Sequence, residues 1–581
     1  MHIEKESSPL AQELNIRLDP EDKKPLYRQI YEYIRGEIRS GGLEAGERLP
    51  STRSLASGLH VARSTTELAY SQLLSEGYVR VKKNSGYYVN EIENLAALYF
   101  GEPGRDGIYS PEHNLNDPGH DTYSTGHNTY SPRQNASCAE DALSSPGRAG
   151  TAGQAETGEA AGPDPCTAQI SALSQIGKQS ARDSSLIDFS LRHTEMSAFP
   201  YSTWKKIMRE VMVNANSEMF SHSEPGGDLT LRATIAHYLH LSRGVRCNPG
   251  QVIVGAGNDY LLMLLRHILG EGRKVAMEDP SYQRAAQIFS SFGYRICPVD
   301  MDDDGMLPTS VAESGADLVY AMPAHQFPMG CIMPVGRRAA LLGWAAENPD
   351  RYIIEDDYDS EFRYRGKPIP ALQSLDHAGR VIYIGTFSKA IAPAIRISYM
   401  ILPPELLERY HEKCWFFSST VSRIDQRILN EFMKNGHFER HLNRMRSIYR
   451  ARHDELLARL RPLQDQFRIL GTGTGLHLVL EARPEAAKAF RKSMAEGFTG
   501  SCLISAQIEL EMTRRAAACG VAVYAMSDYL LPGHDPASRR PPALLLGFGA
   551  LDEESIREGV RRLSDALNIR GLPTEEDMRE K

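Results

Sequence analysis

The chain has 581 residues, 41% hydrophobic and 24% charged, which suits a soluble protein of two or three domains and leaves no apolar run long enough to cross a bilayer. Its opening, MHIEKESSPL, lacks an apolar secretion core, and its eight cysteines include no C-x-x-C pair; a cytoplasmic protein with reduced thiols is expected. The formal net charge of -8 argues against nucleic acid until it is resolved along the chain.

Residues 23–90 carry eleven Lys or Arg against six Glu, a net of +5, so the remainder stands at -13. A basic head sits on an acidic body. Leu26, Ile30, Ile34 and Ile38 recur every fourth residue and Gly41-Gly42 follows, which predicts an amphipathic helix with a left-handed end. Ser51, after a proline, predicts the N-cap of a short second helix with Leu55 and Leu59 on one face. Ser64 and Glu67 have capping-box spacing, so a third helix is expected with Leu68 on its apolar face and Gly77 at its end. YVRVKKNSGYYV then reads as strand, Asn-Ser-Gly turn, strand, a small wing with lysines at its tip.

Helix, helix, capped helix and basic wing in that order predict a unit that binds duplex DNA. Arg53, Arg63, Ser64, Thr65, Lys82, Lys83 and Asn84 are the candidate contacts. Basic side chains and helix N-termini hold phosphates, and the first turn of a recognition helix reads base edges. Taken singly, each is an ordinary solvated surface residue, so the inference rests on their order.

Residues 91–185, 95 positions, are rich in Gly, Ser, Pro, Thr, Asn and Asp. Such a tract buries too little apolar surface to offset its ordering entropy, and a flexible linker with a coil span of roughly 50–60 Å is expected. His113, His120 and His127 fall seven apart in it; solvated loop histidines are expected there, with no metal.

From residue 186 to 568 apolar strands alternate with helices: QVIVGAG before NDYLLMLLRHIL, KVAMEDPSY before another helix, then ADLVYAMPAHQ, RYIIEDDYD and RVIYIGTFSK. An α/β fold with a mostly parallel sheet follows, and ligands of such sheets bind at the carboxyl ends of the strands. There, YIGTFSKAIAPAIRISYM sets Lys389 among Thr386, Ser388 and Arg396. A partly desolvated lysine forms an imine with an aldehyde, and hydroxyls with a guanidinium hold a phosphate; pyridoxal 5'-phosphate (PLP) carries both groups. Gly257, Asn258 and Asp259, where a strand enters a helix, offer backbone N–H groups to the same phosphate. The Asp259 side chain is expected to point away. Asp356 is placed to pair with the pyridine nitrogen, Tyr358 to meet the 3-hydroxyl and Tyr282 to stack on the ring. Singly, acidic clusters are usually solvated and tyrosines are often core.

The stretch PLYRQIYEYIRGEIRSGGLEAGERLPSTRSLASGLHVARSTTELAYSQLLSEGYV resembles the winged helix-turn-helix of GntR-type bacterial regulators. SEPGGDLTLRATIAHYLHLSRGV, HQFPMG, IIEDDYDSEFRY and GTFSKAIAPAIRISYM resemble fold-type I aminotransferases, and more closely the MocR (GabR/PdxR-like) regulators, which fuse the two. The resemblance implies an α+β winged head (23–90), a linker (91–185), an α/β fold-type I PLP-dependent transferase-like body (186–568) and a tail (569–581). It also implies Lys389 as imine lysine, Asp356, Tyr358 and Tyr282 as ring partners, Arg284 near the effector's carboxylate, and a homodimer.

Three positions depart from the pattern. Phe327 replaces the Asn by which aminotransferases hold the 3-hydroxyl. ALLLGFGAL (543–551) lacks their carboxylate-binding arginine, with Arg539 and Arg540 just upstream, and Glu67 stands where some relatives carry a phosphate-binding arginine. The expected function is a PLP-dependent transcriptional regulator that senses PLP or an amino compound. The alternative is an active aminotransferase with an accessory DNA-binding head, in which Lys389 also moves the α-proton.

Overall fold

The computed structural model describes residues 24–82, 86–90, 186–221, 223–364, 369–494, 504–532 and 540–567, with scattered positions before residue 24. The linker and its three histidines, Lys83, Asn84, Arg539 and the tail lie outside the described residues.

The head comprises α1 (Leu26–Ser40), α2 (Thr52–Gly58), α3 (Arg63–Ser75), β1 (Val79–Lys82) and β2 (Gly86–Val89). The strands pair antiparallel with Val79 opposite Val89. Ile30, Ile34 and Ile38 bury the stripe read from α1 against Tyr70 and Leu73, and Gly41 ends the helix at φ 78°. Ser51 caps α2 by accepting from the Ser54 N–H at 3.0 Å.

Two expectations for α3 are corrected. The helix starts at Arg63 with Ala62 as N-cap and no side-chain cap, so Ser64 lies inside the first turn and no capping box forms. Glu67 instead pairs with Arg63, one turn away on the same face, Nε to Oε1 at 2.7 Å. Leu68 is 39% exposed, because the buried stripe runs through Thr66, Ala69, Tyr70 and Leu73, which share one side at helical spacing.

The head joins the body where α3 ends. Val335 N–H donates to the Glu76 carbonyl at 3.0 Å. Gly77 takes φ 78°, and a Cβ built on it would lie 2.6 Å from Pro334 Cβ; both conformation and space therefore require glycine there.

The body is built on a seven-stranded sheet of β3 (Val252–Gly255), β4 (Lys274–Glu278), β5 (Arg295–Val299), β6 (Leu318–Ala321), β7 (Tyr352–Asp357), β8 (Val381–Thr386) and β9 (Ser398–Ile401). Their spatial order is β3-β9-β8-β7-β6-β4-β5. β9 runs antiparallel to both neighbours, and the other pairs are parallel. Helices Asn258–Leu269, Gln283–Ser291 and Val335–Ala346 occupy the crossovers. They cover the sheet, so β6 and β7 are buried at every position, as parallel strands with both faces covered must be. The long helix His437–Leu460 leads to an antiparallel sheet of β10 (Phe467–Leu470), β11 (His477–Ala482), β12 (Tyr524–Ala525) and β13 (Ala543–Gly547), ordered β10-β11-β13-β12. No described helix is long and apolar enough to cross a membrane.

Candidate functional site

The carboxyl ends of β3, β8 and β7 open on one edge of the sheet, with the start of the reversed strand β9 between β3 and β8. Ser398 at that start pairs with both Thr386 and Gly255, and its hydroxyl donates to Thr386 Oγ1 at 2.9 Å. This switch in strand direction and order leaves a crevice of the kind in which open α/β sheets hold ligands.

On the β3 side, Gly257 caps the helix Asn258–Leu269 at φ 95°, presenting the helix's free N–H groups to the crevice. A Cβ on Gly257 would fall 2.2 Å from Arg396 Nη2, so the guanidinium lies directly on the glycine backbone. The structure corrects the expected orientation of Asp259. Its carboxylate accepts from Arg284 Nη2, and Arg396 Nη2 lies 3.5 Å from the same oxygen. Two guanidiniums compensate its charge in a half-exposed position, which removes the cost that would have turned it away. Arg284, on the first turn of Gln283–Ser291, is thereby tied to the Gly257–Arg396 corner.

On the β8 side, Thr386 Oγ1 also accepts from the Ser388 N–H at 3.2 Å, while the buried Ser388 Oγ has no partner. Lys389 Nζ donates to the carbonyls of Leu191 at 3.0 Å and Arg192 at 3.4 Å, on the segment that enters the body. Burial lowers its pKa from the ordinary lysine value; Asp359 opposes the shift and Arg192 adds to it. A lysine so placed is neutral, and nucleophilic, more often than one in water.

On β7, Asp356 is buried, and burial pushes its carboxyl up to about 7, with the Tyr320 hydrogen bond opposing and Asp357 adding. Tyr320 Oη donates to Asp356 Oδ2, and Asn258 Nδ2 approaches both carboxylate oxygens at 3.4 and 3.5 Å, leaving the buried Asn258 Oδ1 unpartnered. Tyr358 Oη lies 2.8 Å from His325 Nδ1, which lies equally close to Asp359 Oδ1. Tyr282 is half-buried, and its ring meets Phe327 edge-on at 6.1 Å. Phe327 also packs on Tyr358, His477 and Tyr529, so hydrocarbon fills the place of the missing Asn.

Sequence reasoning missed five residues. Tyr320 gave no signal, because β6 and β7 bring it to Asp356 only in the folded sheet. His325 and Asp359 stood inside quoted motifs without an assigned role. Burial depresses the His477 pKa to about 3, so this residue beside His325 is a neutral wall. Arg192 adds positive potential that assists burial in lowering the Lys389 pKa and opposes the burial that raises the Tyr282 and Tyr529 hydroxyls. Of the two arginines upstream of β13, Arg540 is described, and its Nη1 turns to Met329 Sδ at 3.3 Å.

In the head, Arg53, Arg63 and Ser64 are exposed and Thr65 is half-buried, at the first turns of α2 and α3. Lys82 Nζ sits 4.5 Å above the Tyr88 ring. The described DNA candidates therefore belong to two helix N-termini and one wing strand, with Arg63 engaged by Glu67.

Residues 26–89 match the family of bacterial regulatory proteins, gntR family. The chain is 35% identical over 546 residues to the uncharacterised HTH-type transcriptional regulator YdeL of Bacillus subtilis, covering 94% of this chain and 97% of that protein. It is 31% identical over 559 residues to the probable rhizopine catabolism regulatory protein MocR of Rhizobium meliloti, covering 95% of each. In fold, the kynurenine aminotransferase of Pyrococcus horikoshii superposes with a TM-score of 0.56 at 24% identity, over 68% of this chain and 94% of that one. With a GntR-type head, full-length regulator relatives and an aminotransferase fold in the body, the chain belongs to the MocR-type branch of the GntR family of DNA-binding transcriptional regulators.

Proposed function

We propose that this regulator holds PLP through Lys389 and that occupancy of the same pocket, by PLP alone or by an amino compound reacting with it, sets the affinity of the head for promoter DNA. The observation that carries the reading is the convergence of a desolvated lysine, a buried carboxylate and unpartnered polar atoms on one crevice. Ser388 Oγ and Asn258 Oδ1 lack partners, and the Gly257 backbone lets the Arg396 guanidinium lie where any Cβ would collide with it. These features fit a cofactor bearing a phosphate, an aldehyde and a ring nitrogen.

PLP when bound supplies an electrophilic carbon and an electron-accepting ring. This chain's residues would do the rest. Arg396, Thr386, Ser388 and the N–H groups following Gly257 would hold the phosphate, Tyr282 the ring face, Tyr358 the 3-hydroxyl, and Asp356 would keep a proton on the ring nitrogen. Lys389 would supply the amine that meets the aldehyde and a base within reach of an amino compound, and Arg284 would orient that compound's carboxylate. Phe327 makes no polar contact with the cofactor, which favours sensing over turnover.

Arg53, Arg63, Ser64, Thr65 and Lys82 contact the duplex in this reading. A homodimer is its working unit, since Trp415 (72% exposed), Phe416 (60%) and Phe220 (66%) leave apolar surface for a second copy to cover. A ligand changes DNA affinity only through unequal affinity for the two states it connects.

The test is a mobility shift on the DNA upstream of the protein's own gene, with apoprotein, PLP-loaded protein, and PLP-loaded protein plus a panel of amines, paired with absorption spectra of wild type and Lys389→Ala. The reading expects a visible cofactor band that Lys389→Ala abolishes and a DNA shift that changes with PLP or one amine. A DNA shift indifferent to every ligand would overturn it. Steady amino transfer to a 2-oxo acid without any shift would move the aminotransferase alternative ahead.

A further inference from the structure

Where the head meets the body, α1 and the end of α3 enclose a cavity of about 480 Å³ against the helix Leu229–Arg243, the start of Val335–Ala346 and residues near Pro370. That volume falls in the range of small-molecule sites. It shares no lining residue with the Lys389 crevice described above.

Its walls are rich in guanidinium: Arg35 from the head and Arg243, Arg246 and Arg338 from the body. The carboxylates of the wall do not balance them. Glu32 is already held by Lys24 at 2.9 Å and Arg28 at 2.8 Å. Glu76 accepts from Tyr31 Oη at 2.6 Å and from Gln72 Nε2, and burial raises its carboxyl above the usual carboxylate range. Arg243 is matched from behind by Asp357, Nε to Oδ2 at 2.8 Å.

Arg338 is buried and gives its nitrogens to the carbonyls of Met333, Pro370 and Pro323, neutral dipoles that solvate its charge without cancelling it. Two carboxyls, Glu355 and Glu76, favour its charge, but burial pushes both up, and Glu355 accepts from the Leu372 and Gln373 N–H groups. Arg35 donates to the Tyr31 hydroxyl at 3.1 Å, and Arg246 stands exposed at the rim. A buried guanidinium matched only in part by carboxyls that burial protonates is costly, and an oxyanion from solution supplies further opposite charge with charge-assisted hydrogen bonds.

We propose that this head–body cavity is a second ligand site, for a small oxyanion such as a phosphate monoester or dicarboxylate, bound between Arg35 of the head and Arg246 and Arg338 of the body. Because the ligand touches both parts, its binding stabilises the docked arrangement of the head over any in which α1 has left the body. Through Arg243 and Asp357 the cavity also adjoins β7, which carries Asp356 one residue earlier.

The test uses full-length protein saturated with PLP and titrates inorganic phosphate at constant ionic strength by calorimetry, with chloride as the control. The expected result is saturable phosphate binding, weakened about tenfold or more in Arg35→Gln/Arg246→Gln, the loss that follows from charge-assisted hydrogen bonds. Both substitutions lie outside the Lys389 crevice, so phosphate captured there would bind the variant and wild type alike. Absence of saturable binding in wild type, or equal binding in the double variant, would overturn the proposal. If the double variant fails to fold, Arg246→Gln at the exposed rim decides: undiminished phosphate affinity overturns the site and a clear loss supports it.

Discussion

Arg63 Nε lies 2.7 Å from Glu67 Oε1, so the first basic residue of α3 is partly neutralised by a carboxylate one turn further on. Both side chains are largely exposed, and the pair adds little to stability. Its effect falls on electrostatics at the helix end placed to meet phosphate. Glu67→Gln should tighten operator binding several-fold at moderate salt and steepen the dependence of log K on log salt by up to about one phosphate contact. Mobility shifts at three salt concentrations read both. An unchanged affinity and slope would mean that Arg63 does not approach the duplex.

Gly77 meets Pro334 at the head–body seam. In Gly77→Ala the new methyl meets Pro334 Cβ, at a φ of 78° that alanine disfavours. A loss on the order of 1–3 kcal/mol is expected from strain and displacement together. Calorimetric unfolding should show a lower head transition, and limited proteolysis faster cleavage between head and body. An unshifted midpoint would mean that the seam yields freely at Pro334.

How far these features were legible in the sequence depended on how local their causes are. The α1 stripe through Ile30, Ile34 and Ile38 and the Gly41 end depend on neighbours within a turn or two and were read correctly, as was Ser51 as a cap. In α3 two local signals competed: Ser64 and Glu67 have capping-box spacing, but Arg63 and Glu67 have ion-pair spacing, and a start at Arg63 satisfies the second while turning Leu68 outward. In the body, the alternation of strands and helices made the parallel sheet legible. Tyr320 beside Asp356 was not, because contacts across β6 and β7 depend on register, which no short motif encodes. The orientation of Asp259 was not legible, because the sequence does not reveal that Arg284 and Arg396 converge on it.

Asp356 makes stability depend on pH in a direction that can be worked out. An unfolded Asp carboxyl titrates near 3.9, whereas burial raises this one to about 7 in the folded protein. Between those values the native state keeps a proton that the unfolded chain releases, so this group's stabilisation is present at low pH and is lost as pH rises toward 7. Asp356→Asn removes that slope. Apoprotein of the variant should therefore gain stability relative to wild type from pH 5 to pH 8, on the order of 2 kcal/mol, by denaturant unfolding. A difference that stays flat across this range would place the Asp356 pKa near its ordinary value. The same variant should bind PLP more weakly, since an amide cannot hold the ring nitrogen's proton.

Tyr320 Oη is the strongest hydrogen-bond donor to Asp356, because Asn258 reaches the carboxylate only at 3.4 and 3.5 Å. Tyr320→Phe keeps the packing of a nearly inaccessible ring and deletes that one donor. The remaining carboxylate is less stabilised, so its pKa should rise further and PLP affinity should fall on the order of tenfold, the worth of one hydrogen bond to a charged group. Titration of apoprotein with PLP, followed by the absorption of the bound cofactor, measures this. The band itself should persist at saturation, since Lys389 is untouched, which separates a weakened ring contact from a lost covalent link. Adding Asn258→Ala should weaken binding by less than the sum of the two single losses if both donors serve the same carboxylate. Unchanged affinity in Tyr320→Phe would remove Tyr320 from the cofactor site and leave it a core residue of the β6–β7 pair.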